Sequence, residues 1–132
     1  MGYNFHLDRP NADLAALLDA LAGAFSVRRA AVRAVTDLGD ARDLQGVVLL
    51  CTSHTTGGDF PLHVTVYPQD PAGAFPTELE AARALARTLG CRCLITDDAI
   101  NPFTWVLVDS SGVHPVTVEP DALDRNELVL AK

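Results

Sequence analysis

The chain has 132 residues, 48% hydrophobic and 20% charged, with a net charge of −7 and a pI near 4.8. That length can bury a core without disulfide or metal staples, and the composition excludes a disordered chain. The acidic balance argues against a nucleic-acid binder, which needs clustered Lys and Arg to neutralise phosphates. No apolar run approaches the roughly 18–20 residues of a membrane-spanning helix. The opening residues 1–8 lack the basic cluster and apolar stretch of a secretory signal, so a cytoplasmic protein without membrane contact is expected. Nine Arg against one Lys, with abundant Ala, is a bias of GC-rich bacterial coding.

Leu14, Leu17, Leu18 and Leu21 recur at i, i+3, i+4 and i+7, which predicts a first helix with one leucine stripe. Asn11 is its expected N-cap, Asp13 suits the positive helix end, and Gly23 is the expected stop. Residues 26–38 read as either helix or strand. The reading adopted is a short edge strand from about Ala31 to Thr36, joined through the turn chemistry of 37–43 to the next strand as a hairpin. Arg28, Arg29 and Arg33 are read as a solvated face. The apolar run Gly46–Thr52 predicts a central strand. Gly57 and Gly58 then supply only a turn tip before a return strand from Phe60 to Tyr67. On that strand Leu62, Val64 and Val66 share one face, and His63, Thr65 and Tyr67 the other.

Thr77 with Glu80 three residues on forms a capping box for a second helix, whose buried stripe is Leu79, Ala82, Leu85, Ala86 and Leu89 and whose stop is Gly90. Arg92–Thr96 predicts a short strand, followed by a loop ending at Asn101-Pro102. Phe103–Val108 and Val113–Glu119 form a hairpin about a tight Asp109–Gly112 turn. Residues 120–123 read as one helical turn, and 128–130 as a last extended piece. The expected architecture is a single α+β domain, an antiparallel sheet of five to six strands with two helices packed on it, in the approximate order αβββαβββ.

Catalytic chemistry is thinly represented. Cys51 comes near His54 and His63 in the predicted hairpin, but a thiol nucleophile also needs a lowered pKa and an oriented imidazole. The odd cysteine count argues against disulfides, and Cys51, Cys91 and Cys93 are read as buried structural thiols. A zinc site would draw on His6, His54, His63, His114, Cys91 and Cys93, yet Cys91 and Cys93 are the only closely spaced pair, so no metal is expected. Asp97 and Asp98 are adjacent on an extended chain and diverge, which suits a turn better than acid/base work. Phosphate loops, dinucleotide fingerprints and hydrolase elbows are absent, so no cofactor and no catalytic residue is assigned.

What remains is charge. From residue 94 onward seven carboxylates face only Arg125 and Lys132. Asp97, Asp98 and Asp109 flank Phe103 and Trp105, and Trp is enriched at binding hot spots. The expected partner-binding residues are therefore Asp97, Asp98, Asn101, Trp105 and Asp109, and the expected partner is a basic protein. The run from Leu94 through Val108, followed by Gly112 and Val116-Thr117-Val118, resembles immunity-type proteins of bacterial polymorphic and contact-dependent toxin systems. That resemblance covers about residues 60–124 and implies a non-enzymatic, acidic inhibitor of a secreted toxin. The alternatives are a secretion-chaperone-like binder of an effector, for which a homodimer is compatible, and a hydrolase built on Cys51 and a histidine.

Overall fold

The computed structural model describes residues 2–9, 13–37, 39, 42–70, 73–97 and 100–131. Its spine is a strand that the sequence reading passed over. Strand β1 (Tyr3–Leu7) alternates polar and apolar residues and lies in the middle of the sheet, antiparallel to both of its neighbours. Helix α1 (Leu14–Phe25) follows, then a 3-10 turn at Arg29–Ala31 and strand β2 (Val32–Ala34). Strands β3 (Leu49–Thr55), β4 (Gly57–Gly58) and β5 (Leu62–Pro68) come next, then helix α2 (Glu78–Leu89). Strands β6 (Cys93–Thr96), β7 (Thr104–Asp109) and β8 (Gly112–Thr117) lead to a short helix α3 (Pro120–Leu123) and strand β9 (Glu127–Leu128).

The fold is α+β, as expected, but the sheet is larger than expected. Seven strands run in the order β2-β3-β5-β1-β6-β7-β8, and β4 pairs with β9 in a separate two-stranded ladder. β1 joins the two predicted meanders into one sheet by lying between β5 and β6. The edge strand near Ala31–Thr36 does pair with the next strand, but in parallel, Val32 opposite Leu49 and Ala34 opposite Cys51. A hairpin cannot make a parallel pair, so the expected hairpin between these two strands is not formed.

Both long helices cover one face. Phe5 and Leu7 of β1, Val64 and Val66 of β5, and Cys93 and Ile95 of β6 point into this layer, where they meet Leu17, Leu21, Ala82, Leu85 and Ala86. Burying these side chains is the main stabilising contribution, roughly 1.5–3 kcal/mol for each large one. Two stripe positions differ from expectation: Leu14 and Leu79, each in the first turn of its helix, are 51% and 38% exposed, while Ala81 is buried. The helix ends also follow local chemistry. Asp13 caps α1 by accepting from the Ala15 N–H at 3.1 Å, and the expected cap Asn11 lies outside the described residues. α1 runs past Gly23 and stops at Ser26, whose φ of 56° is left-handed. The Thr77–Glu80 capping box and the left-handed Gly90 stop of α2 are present as expected. Asp8 locks the far end of β1 to β6, accepting from Arg92 N and Nε at 2.9 and 2.8 Å.

Candidate functional site

The face of the sheet away from the helices is only half covered. The C-terminal segment folds back over one part of it: β9 pairs in parallel with β4, Val118 bridges Leu130, and Asp59 Oδ2 accepts from the Leu130 N–H at 3.0 Å. Gly57 and Gly58 are therefore more than a turn tip. They are the docking rail for the chain's end, and the backbone approaches so closely that a Cβ on Gly58 would sit 2.7 Å from the Leu128 carbonyl oxygen. Beneath this flap Phe60, Leu94, Leu107, Val118 and Leu128 make a second small core. Beside it a groove of about 440 Å³ stays open, lined by His6, His54, Thr56, His63, Trp105, Leu123, Asn126 and Leu128.

Register explains why three histidines meet there. His54 of β3 lies opposite His63 of β5, and His63 lies opposite His6 of β1, so one cross-strand row carries all three. Side chains along such a row share a face and stand about 5 Å apart. The His6 and His63 rings stack with centres 4.1 Å apart, His54 meets His63 edge-on at 4.6 Å, and Trp105 meets His6 edge-on at 5.5 Å. His63 Nδ1 is 3.1 Å from His54 Nε2, and His63 Nε2 is 3.2 Å from Asn4 Oδ1, which also accepts from the Thr65 hydroxyl at 3.1 Å. One proton assignment satisfies the whole chain: His54 Nε2–H donates to His63 Nδ1, and His63 Nε2–H donates to Asn4 Oδ1. With its Nδ1 accepting, His63 is neutral.

Burial reinforces that state. It holds the His6 imidazole down at about 3, with His63 and His54 adding repulsion, and it lowers His63 from its ordinary value with His54 contributing. His6 Nδ1 is buried with no hydrogen-bond partner, a further reason for that ring to avoid a proton. Among the described residues no group of three or more His, Cys, Asp or Glu is arranged to hold a metal ion.

The residues expected at a partner surface divide. Trp105 is half-buried in the groove, its Nε1–H donating to the Pro102 carbonyl at 2.9 Å. Asp97 is exposed just after Thr96, the cross-strand neighbour of Trp105, so it belongs to the same end of the sheet. Asn101 is exposed and shapes the approach to β7, its Oδ1 accepting from the Phe103 N–H at 2.9 Å. Ile100 beside it is fully exposed. Asp98 lies outside the described residues. Asp109 stands at the opposite end of β7, about 13 Å along the strand from Trp105. There its Oδ1 accepts from Ser111 N, Ser111 Oγ and Gly112 N, and the Ser111 hydroxyl first, then the Ser111 N–H and His114, hold its carboxyl below the usual range. That is a turn-forming role, in a cleft shared with Arg83 and Arg87.

The sequence reading missed the histidine row. A hairpin tip near Gly57-Gly58 already sets His54 against His63, but His6 joins them only through β1. All three cysteines are buried and free. Burial pushes the Cys51 and Cys91 thiols up to about 11, and raises Cys93 as well. Protein-family models, curated proteins and solved structures alike contain no match to this chain.

Proposed function

We propose that this chain is a non-enzymatic acidic docking protein, an immunity-type inhibitor that receives a basic protein partner on the open face of its sheet. The observation that carries the reading is the groove itself: Trp105 and the imidazoles of His6, His54 and His63 form its floor, and an acidic chain segment forms one wall. That segment bears Glu119, Asp121, Asp124 and Glu127 against the single Arg125, and Asp97 adds charge near Trp105. Ile100 supplies an exposed apolar contact near the same end. A Trp-centred floor with a charged rim is the composition of a binding hot spot, and the rim's sign selects a basic partner and speeds its encounter.

The test is binding and co-expression with the product of the adjoining gene. A toxin domain there, neutralised by this chain with an affinity that falls as salt rises, is the expected result. Reversing Asp97 and Asp98 to Lys should slow association at low salt and flatten its salt dependence while leaving the fold intact. Unchanged association rates would remove these carboxylates from the interface. A secreted effector bound in unfolded form would replace inhibition with chaperoning.

A further inference from the structure

Resting on that reading, we infer that the groove beside Trp105 is the seat of one cationic side chain, Arg or Lys, projecting from the basic partner. Its floor is aromatic, lined by Trp105 and the imidazoles of His6, His54 and His63. The His6 ring lies 5.5 Å from Trp105 on one side and 4.1 Å from His63 on the other, centre to centre. His63 accepts at Nδ1 from His54 and donates at Nε2 to Asn4, so its ring brings aromatic surface without a positive charge. Leu123 and Leu128 form an apolar wall for the stem of a long side chain, and Thr56 and Asn126 are polar groups at the mouth. Flat rings beside an aliphatic wall suit a guanidinium or ammonium on its methylene stem.

Charge decides between this occupant and others. No residue lining the groove is Lys, Arg, Asp or Glu, so its selectivity rests on the charges at its lip. At the lip, Glu127 lies against Gly57 next to Thr56, and Asp124 follows Leu123 directly. Arg125, the one basic residue of that wall, is held by Glu127 at 3.2 Å and by the Asp121 carbonyl at 3.2 Å. The same face already accommodates one guanidinium over a ring, since Arg92 Cζ lies 5.3 Å from the centre of Phe60.

Trp105 is the only tryptophan in the chain, so its fluorescence reports on the groove alone. The probes are three short glycine-flanked peptides that differ in one residue: arginine, its uncharged isostere citrulline, or glutamate. The arginine peptide should shift the emission saturably and move the His54 and His63 imidazole NMR signals, with at least tenfold weaker binding of the citrulline peptide. Thr56→Lys puts a competing ammonium at the mouth, giving up only the 3.5 Å contacts of the Thr56 hydroxyl with the Phe60 and Pro61 carbonyls, and should weaken the arginine peptide at least tenfold. Equal responses to arginine and citrulline, an unaffected Thr56→Lys protein, or the same signal from Zn2+ alone would overturn the assignment. If the natural partner binds Thr56→Lys normally yet is weakened by the Asp97 and Asp98 reversals, the docking function stands and the cation seat falls.

Discussion

Cys51 and His63 lie on adjacent strands of one ladder yet leave the sheet on opposite faces. Cys51 pairs with Val66, three residues from His63, and an odd offset along a strand reverses the side-chain direction. The thiol enters the helix-covered core and the imidazole enters the open groove, so Cys51 and His63 do not form a thiolate–imidazole pair. Cys51, Cys91 and Cys93 should therefore resist a thiol reagent at pH 8 in the native protein and react together once it is unfolded. A single fast-reacting cysteine under native conditions would contradict this.

Much of the fold was legible because its signals are local. The Thr77–Glu80 box, the Gly90 stop, the β3–β5 hairpin and the Asp109–Gly112 turn each depend on a few neighbouring residues. The parallel β2–β3 pairing was not legible, because Val32–Ala34 reads the same whichever way its partner runs. Tyr3–Leu7 does show alternation, but five residues ahead of a strong helix carry little weight alone, and only tertiary pairing makes that strand central. The candidate site suffered from the same gap. Trp105 could be singled out by its chemistry, whereas the row of His6, His54 and His63 exists only once β1 is placed beside β5.

The capping box gives a clean stability test. Thr77 Oγ1 accepts from Glu80 N at 3.1 Å, and Glu80 Oε1 accepts from Thr77 N at 3.2 Å. Thr77→Ala removes the first bond and should lower unfolding stability by about 1 kcal/mol, whereas Thr77→Ser should retain most of it. Denaturant titrations should show a lower midpoint with an unchanged slope.

Acid should weaken the fold through the histidine row. His6 is held at about 3 in the native protein and returns to its ordinary value of 6.5 on unfolding. Between those values the unfolded chain binds the extra proton, so stability is intact above pH 6.5 and falls as the pH is lowered toward 3. The slope from this one group is at most about 1.4 kcal/mol per pH unit. His63, shifted in the same direction, steepens the loss below its ordinary value. His6→Phe keeps an aromatic ring between His63 and Trp105 but cannot take a proton, and should flatten the dependence. Unfolding midpoints measured at pH 7.5, 6 and 5 for both proteins would show it, and parallel curves would remove His6 as the cause.

Gly58 should govern whether the C-terminal flap stays docked. Its φ of 88° is a left-handed conformation that suits glycine, and a Cβ there would meet the Leu128 backbone at 2.7 to 3.1 Å. Neither partner can yield easily. Leu128 is held in the β4–β9 ladder, and its carbonyl accepts from the Asp59 N–H at 2.8 Å. Gly58→Ala thus combines backbone strain with a backbone clash and should destabilise the protein by more than the roughly 1 kcal/mol of a simple glycine effect. The damage should be local first. With β9 displaced, Leu128 and Phe60 lose their cover, so a protease should cut within residues 119–131 before the helix-covered core opens. Limited proteolysis with mass analysis would register this as early loss of a C-terminal fragment. Simultaneous cleavage throughout the chain would mean instead that the flap and the main core unfold as one unit.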